Sequence, residues 1–215
     1  MTDDERPPDP TESLRLIEQQ RSEVGRRLEV DYRWYYVPWG IAWLASFGLL
    51  FLRYGPDGQV LVPMPGALPF VVLAVTSVGA VVLTAVNGAR SSRHIAGDSR
   101  QAGLMYGVSW TIAYAWMGVL FGRISDFLPA DEARLLWPAG AIGLAGILYL
   151  TGGAIWRDRA MSGLGLWLTL TNLIGVLFGP GWHSLIAALA GGGGLILAGL
   201  LFTARARSRL RSATT

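Results

Sequence analysis

Six stretches of the chain stay apolar long enough to cross a bilayer, and polar residues return only in short bursts between them. The stretches are 34–52, 67–87, 103–122, 135–155, 161–178 and 182–203, and none carries Asp, Glu, Lys or Arg in its interior. Crossing the hydrocarbon takes about 20 mostly apolar residues. A backbone in lipid must satisfy its own hydrogen bonds, so the pattern predicts six transmembrane helices. Residues 10–31 follow another rhythm. Asp9 can cap a helix there, Pro10 suits its first position, and Glu12 sits three residues after the cap. Leu14, Ile17, Val24 and Leu28 then share one face, interrupted by Arg21. Glu23 precedes Arg27 by four residues, the favourable order for an ion pair. The expected organisation is all-α. A disordered acidic N-terminus (1–9) leads into a cytoplasmic amphipathic helix (10–33), a six-helix transmembrane domain (34–204) and a basic tail (205–215).

Composition agrees with a membrane protein. Charged residues make up 15% of the chain, against about 25% in a soluble domain. The absence of cysteine excludes disulfides and thiolate chemistry, and all 18 basic residues are arginine. Arginine placement orients the bundle. With a cytoplasmic N-terminus, 15 arginines lie inside and only Arg53, Arg123 and Arg134 lie outside. That bias places both termini in the cytoplasm, in a multi-pass membrane protein. Trp34, Trp39 and Trp156 then fall near the inner interface, and Trp137 and Trp182 near the outer one, as an aromatic belt.

Residues 185–201, "LIAALAGGGGLILAGLL", place four glycines inside an apolar run. Small residues let membrane helices approach closely. Ala187, Gly191, Gly194 and Ala198 form one small-residue stripe, broadened by Gly192 and Gly193. Tight packing is the first reading. The second is a helix broken near mid-membrane whose backbone at Gly192 and Gly193 meets a substrate. The third and fifth segments share a pattern: Trp110 and Trp167 each precede a GVLFG by seven residues, 57 positions apart. This repeat suggests three tandem helical hairpins. Gly118, Gly122, Gly175 and Gly179 are expected to pack helices together, and Trp110 and Trp167 to pack between helices or flank a cavity.

Candidate chemistry is sparse. Ionisable side chains inside membranes mark ion and proton paths, and their absence from the windows' interiors argues against a pump with a buried carboxylate. Asn172 is the first candidate for a substrate ligand, because a buried amide needs partners. Ser109 and His183 superficially suggest an intramembrane serine protease, but the topology sets them at different depths, too far apart for a catalytic hydrogen bond. The two histidines, His94 and His183, fall on opposite sides of the bilayer, so haem ligation fails. No metal site, cofactor or nucleic-acid site is expected. The basic tail reads as a topology anchor. Residues 1–33 hold nine acids and six arginines. A helix that binds anionic lipid should be net basic, so Leu14, Ile17, Val24 and Leu28 point to a cytoplasmic protein partner, to another copy of the chain, or to this protein's own loops.

The "ESLRLIEQQR" helix, the "PWGIAWL" opening and the "GVLFGPGWHSL" stretch resemble a group of uncharacterised bacterial six-helix integral membrane proteins, sometimes loosely labelled transporters. The resemblance covers 12–203 and imports no catalytic residue. Two functions follow as expectations. One is transport, as a carrier or the membrane subunit of a permease. The other is a membrane tether or regulator of a cytoplasmic partner.

Overall fold

The computed structural model describes residues 9, 11–16, 31–92 and 98–212. Its helices are α1 (Arg33–Tyr54), α2 (Leu68–Ser92), α3 (Asp98–Ser125), α4 (Ala130–Trp156), α5 (Arg159–Phe178), α6 (Pro180–Ile186) and α7 (Gly193–Ser212). A π-helical segment, Ala187–Gly192, joins α6 to α7 without a break. Together these three pieces make the sixth span, so the chain holds six helices long and apolar enough to cross a membrane. It is an all-α integral membrane protein in contact with the bilayer. Residues 11–16 are helical, with Leu14 exposed. Ile17, Val24 and Leu28 lie outside the described residues. The last helix runs to Ser212, beyond the limit of 204 expected for the bundle.

Local chemistry sets the turns. Gly55 ends α1 at φ 29° and leads into a single 3-10 turn, Pro56–Gly58. The amides of Leu61 and Val62 then fold back onto the free carbonyl of Leu52. Arg157 takes the left-handed region at φ 53°, and Asp158 caps α5 by accepting from the amides of Ala160 and Met161. Gly179 adopts φ 87° and Pro180 opens α6, the pairing of a permissive glycine with a residue suited to the first helical turn.

Packing runs through backbone-close crossings. A Cβ built on Gly192 would lie 2.6 Å from Leu44 N and 2.8 Å from Gly40 O, so α1 crosses the π segment at bare backbone. A Cβ on Gly165 would lie 2.6 Å from Leu150 N and 2.7 Å from Gly146 O, fixing α5 against α4. The two most extensive interfaces join α4 to α5 and α1 to the sixth span. α2 and α3 are outriggers: α2 packs on α1, and α3 packs on α4. Trp39 Nε1 donates to Thr84 Oγ1 across the first pair. Tyr106 and Tyr114 donate their hydroxyls to the carbonyls of Leu148 and Ala141 across the second. Each expected hairpin is therefore present as a packed pair of neighbours. α1 meets α4 at the Tyr36–Tyr149 ring contact, with Leu164, Leu168 and Leu195 forming the core around Tyr36.

One polar knot closes the end at which the chain both enters and leaves the bundle. The Asp31 carboxylate accepts from Arg33 Nε at 2.9 Å and Nη2 at 2.6 Å, and from Thr203 Oγ1 at 3.2 Å. Arg207 approaches it at 3.9 Å. The Arg33 guanidinium beside Asp31 holds its carboxyl well below the usual carboxylate range, down to about 2. Tyr32 reaches Asp158 in the α4–α5 turn. The start of α1, the end of α7 and that turn therefore share one side, the arginine-rich one.

Candidate functional site

Asn172 on α5 is the centre of a polar junction in the arginine-poor half of the bundle. Its Nδ2 donates to the backbone carbonyl of Ala139 on α4 at 2.8 Å. Its Oδ1 lies 2.9 Å from His183 Nε2 on α6. Because the amide nitrogen is already donating, Oδ1 must accept, and the imidazole carries its proton on Nε2. One side chain thus links three helices. His183 is 1% exposed, and its Nδ1 has no hydrogen-bond partner.

Small residues make room for the ring. A Cβ on Gly175 would lie 2.8 Å from His183 Cδ2, so glycine there lets the imidazole lie flat on α5. Ile142, Leu168, Thr171, Ala187 and Gly191 close the seam around the pair, leaving it too tight for a water molecule. Buried polar atoms are normally paired. Among the described residues, the buried side-chain atoms without a partner are Ser46 Oγ, Arg53 Nε and His183 Nδ1. All three sit in the arginine-poor halves of α1 and the sixth span, which pack on each other.

The π segment begins one turn below His183. The Gly193 amide reaches Ala188 O, five residues back. Widening the turn rotates the following faces by ~100° per extra residue. Gly191 and Gly192 thereby meet α1, at Trp43 and at the Gly40–Leu44 backbone, while Gly194 meets Trp167 on α5. Trp167 Nε1 donates to Ala190 O at 2.9 Å and ties the segment to α5.

The sequence candidates fall out unevenly. Trp110 is packed, stacking on Tyr114 and meeting Tyr149 edge-on. Trp167 is half exposed and engaged with the π segment. Gly192 faces α1 rather than a cavity, and a Cβ on Gly193 would meet nothing within 4 Å. The tetraglycine is continuous helix, not a break. Three of the packing glycines need correction. Among the described residues, a Cβ on Gly118 or Gly122 would meet nothing within 4 Å, because α3 presents Met117 and Phe121 to α4 instead. Gly179 is a turn residue at positive φ. Gly175, Gly191 and Gly194 lie against neighbours. Ser109 donates to its own helix at Met105 O. The sequence reading missed His183 as the partner of Asn172, and missed Gly40, Gly146, Gly153 and Gly165 as crossing points. The one available signal for the pair was that both residues lie within two turns of the glycine–proline bend.

No known family, curated protein or solved structure matches the chain.

Proposed function

We propose that the protein is a transport-related membrane protein, either a carrier or the membrane subunit of a permease. It would sit in a bacterial cytoplasmic membrane with both termini inside, the orientation favoured by the arginine distribution. The observation that carries the reading is α6. This seven-residue helix is bounded by a positive-φ glycine and a π segment, and it closes over the Asn172–His183 pair. π segments recur at functional sites, and His183 is a buried ionisable residue with one ring nitrogen unpartnered, where buried polar atoms are normally paired.

The chain's lack of cysteine makes the test direct. Thr171→Cys places a single thiol in the seam, and Trp182→Cys places one at the exposed end of α6 as a control. Sealed vesicles of each orientation are treated with a membrane-impermeant thiol reagent. A carrier exposes the Thr171→Cys thiol to each side in turn. A seam that stays closed from both sides, while the control reacts from one, removes the transport reading.

The second reading is the tether. It rests on the exposed Leu14 and Leu16 of the N-terminal segment. Deleting residues 1–30, which leaves Asp31 in its knot, would then release a co-purifying cytoplasmic protein and leave the bundle inserted.

A further inference from the structure

The seam around His183 is complete for a neutral imidazole and incomplete for a charged one. With Nε2–H given to Asn172 Oδ1, the only free valence is the Nδ1 lone pair, which is buried and faces no donor. A proton taken up there becomes a second N–H carrying a full charge. Among the described residues that charge would have no acceptor and no counter-ion lining the seam, and the seam has no room for water. No other residue lining the seam is titratable. The elements packed against α6 carry their titratable groups elsewhere. Arg53 and Tyr54 end α1; Asp131, Glu132 and Arg134 begin α4, and Arg159 opens α5 at the far end. Tyr149 is held in the separate aromatic cluster of Tyr36 and Trp110.

An imidazolium at this position is stable only once α6 has moved and water or an anion reaches Nδ1. The means of moving is built in. α6 is flanked by Gly179 and the π segment, whose widened turn interrupts the regular α-helical ladder within one rod. We propose that His183 is a proton-binding site whose occupancy opens α6 away from α4 and α5, and that the proton is the coupling ion of the carrier. The second clause rests on the transport reading; the first does not.

The chain has two histidines, so His94→Gln leaves His183 as the only imidazole. In lipid nanodiscs without any cargo, nitrogen NMR of the labelled ring reports tautomer and charge. Spin labels at Phe127→Cys and Trp182→Cys report the position of α6 against the α3–α4 turn. The expected result is an Nε2–H tautomer at neutral pH, one protonation step on acidification, and a lengthened label distance over the same pH range. His183→Gln should abolish the distance change. Asn172→Asp gives up the bond to Ala139 O but puts a carboxylate beside the ring, and should move ring protonation and label distance together along the pH axis; it keeps the proposal testable if His183→Gln does not fold. A ring that stays neutral throughout, or a label distance that ignores its protonation, overturns the proposal. If protonation and opening occur together but vesicles show no thiol exposure from either side at any pH, transport falls and the proton site stands. Exposure that alternates independently of pH and of His183 overturns the coupling.

Discussion

Gly192→Ala and Gly193→Ala add the same methyl group to adjacent positions, and the structure assigns them opposite effects. At Gly192 the new Cβ would sit 2.6 Å from Leu44 N and 2.8 Å from Gly40 O. Both are backbone atoms of α1, so no side chain can swing aside, and the two helices must separate. Overpacking of this kind costs about 1–3 kcal/mol. At Gly193 nothing lies within 4 Å. Each substitution also gains helix propensity, up to about 1 kcal/mol for alanine over glycine. That gain largely cancels between the two variants, so the difference between them reports the crossing itself. Gly193→Ala should be as stable as the parent or more so, and Gly192→Ala should fall below it by about 1–3 kcal/mol. At about 2–4 °C per kcal/mol for a chain of this size, the two melting temperatures should differ by roughly 2–12 °C. Thermal unfolding of the purified protein in detergent, followed by circular dichroism, measures this. Equal melting temperatures would show that α1 and the π segment do not cross at bare backbone.

Asn172→Ala strands Ala139 O and His183 Nε2 together, at about 1–3 kcal/mol for each buried group left unpaired; a lowered melting temperature is the expected outcome. Gly179→Ala puts a Cβ at φ 87°, ψ 175°, backbone that essentially only glycine adopts, and should cost about 1–3 kcal/mol, read by the same assay. Asp31 has its carboxyl held down to about 2, so the stability it contributes is complete above the ordinary carboxylate value of about 3.9. It is lost as pH falls through about 2. Asp31→Asn should therefore lower stability at neutral pH and flatten the acid dependence between those two values, as measured by unfolding across that range.

The spans were legible because hydrocarbon imposes one length on every crossing segment. The window 161–178 and the helix Arg159–Phe178 differ by two residues at one end. The bend at Gly179–Pro180 was equally readable as residue types, though not the φ that makes Gly179 a turn residue. Rotation about each helix axis was not legible. The same GVLFG turns Gly175 onto His183 in α5 and, among the described residues, leaves Gly118 facing no helix in α3, because the large neighbours Met117 and Phe121 decide which face α3 presents. The π turn was hidden for a similar reason: its extra residue changes the phase of a stripe that, on paper, ran on at regular spacing. His183 looked like an interface residue by depth. Its burial depends on α6 folding back over α5, which no local pattern encodes.

The placement of α3 bears on how the molecule is made. α2 docks on α1, which has already been synthesised, but α3 packs on α4, which has not. Among the described residues α3 is buried over only 6% of its apolar window. When α3 leaves the insertion machinery it has no partner from the chain behind it. It must wait in lipid, or beside the machinery, until α4 brings the carbonyls of Ala141 and Leu148 to its two tyrosine hydroxyls. Assembly therefore has a pause built into its middle, and slowing synthesis between α3 and α4 should lengthen the time during which quality-control proteases can remove the unfinished chain.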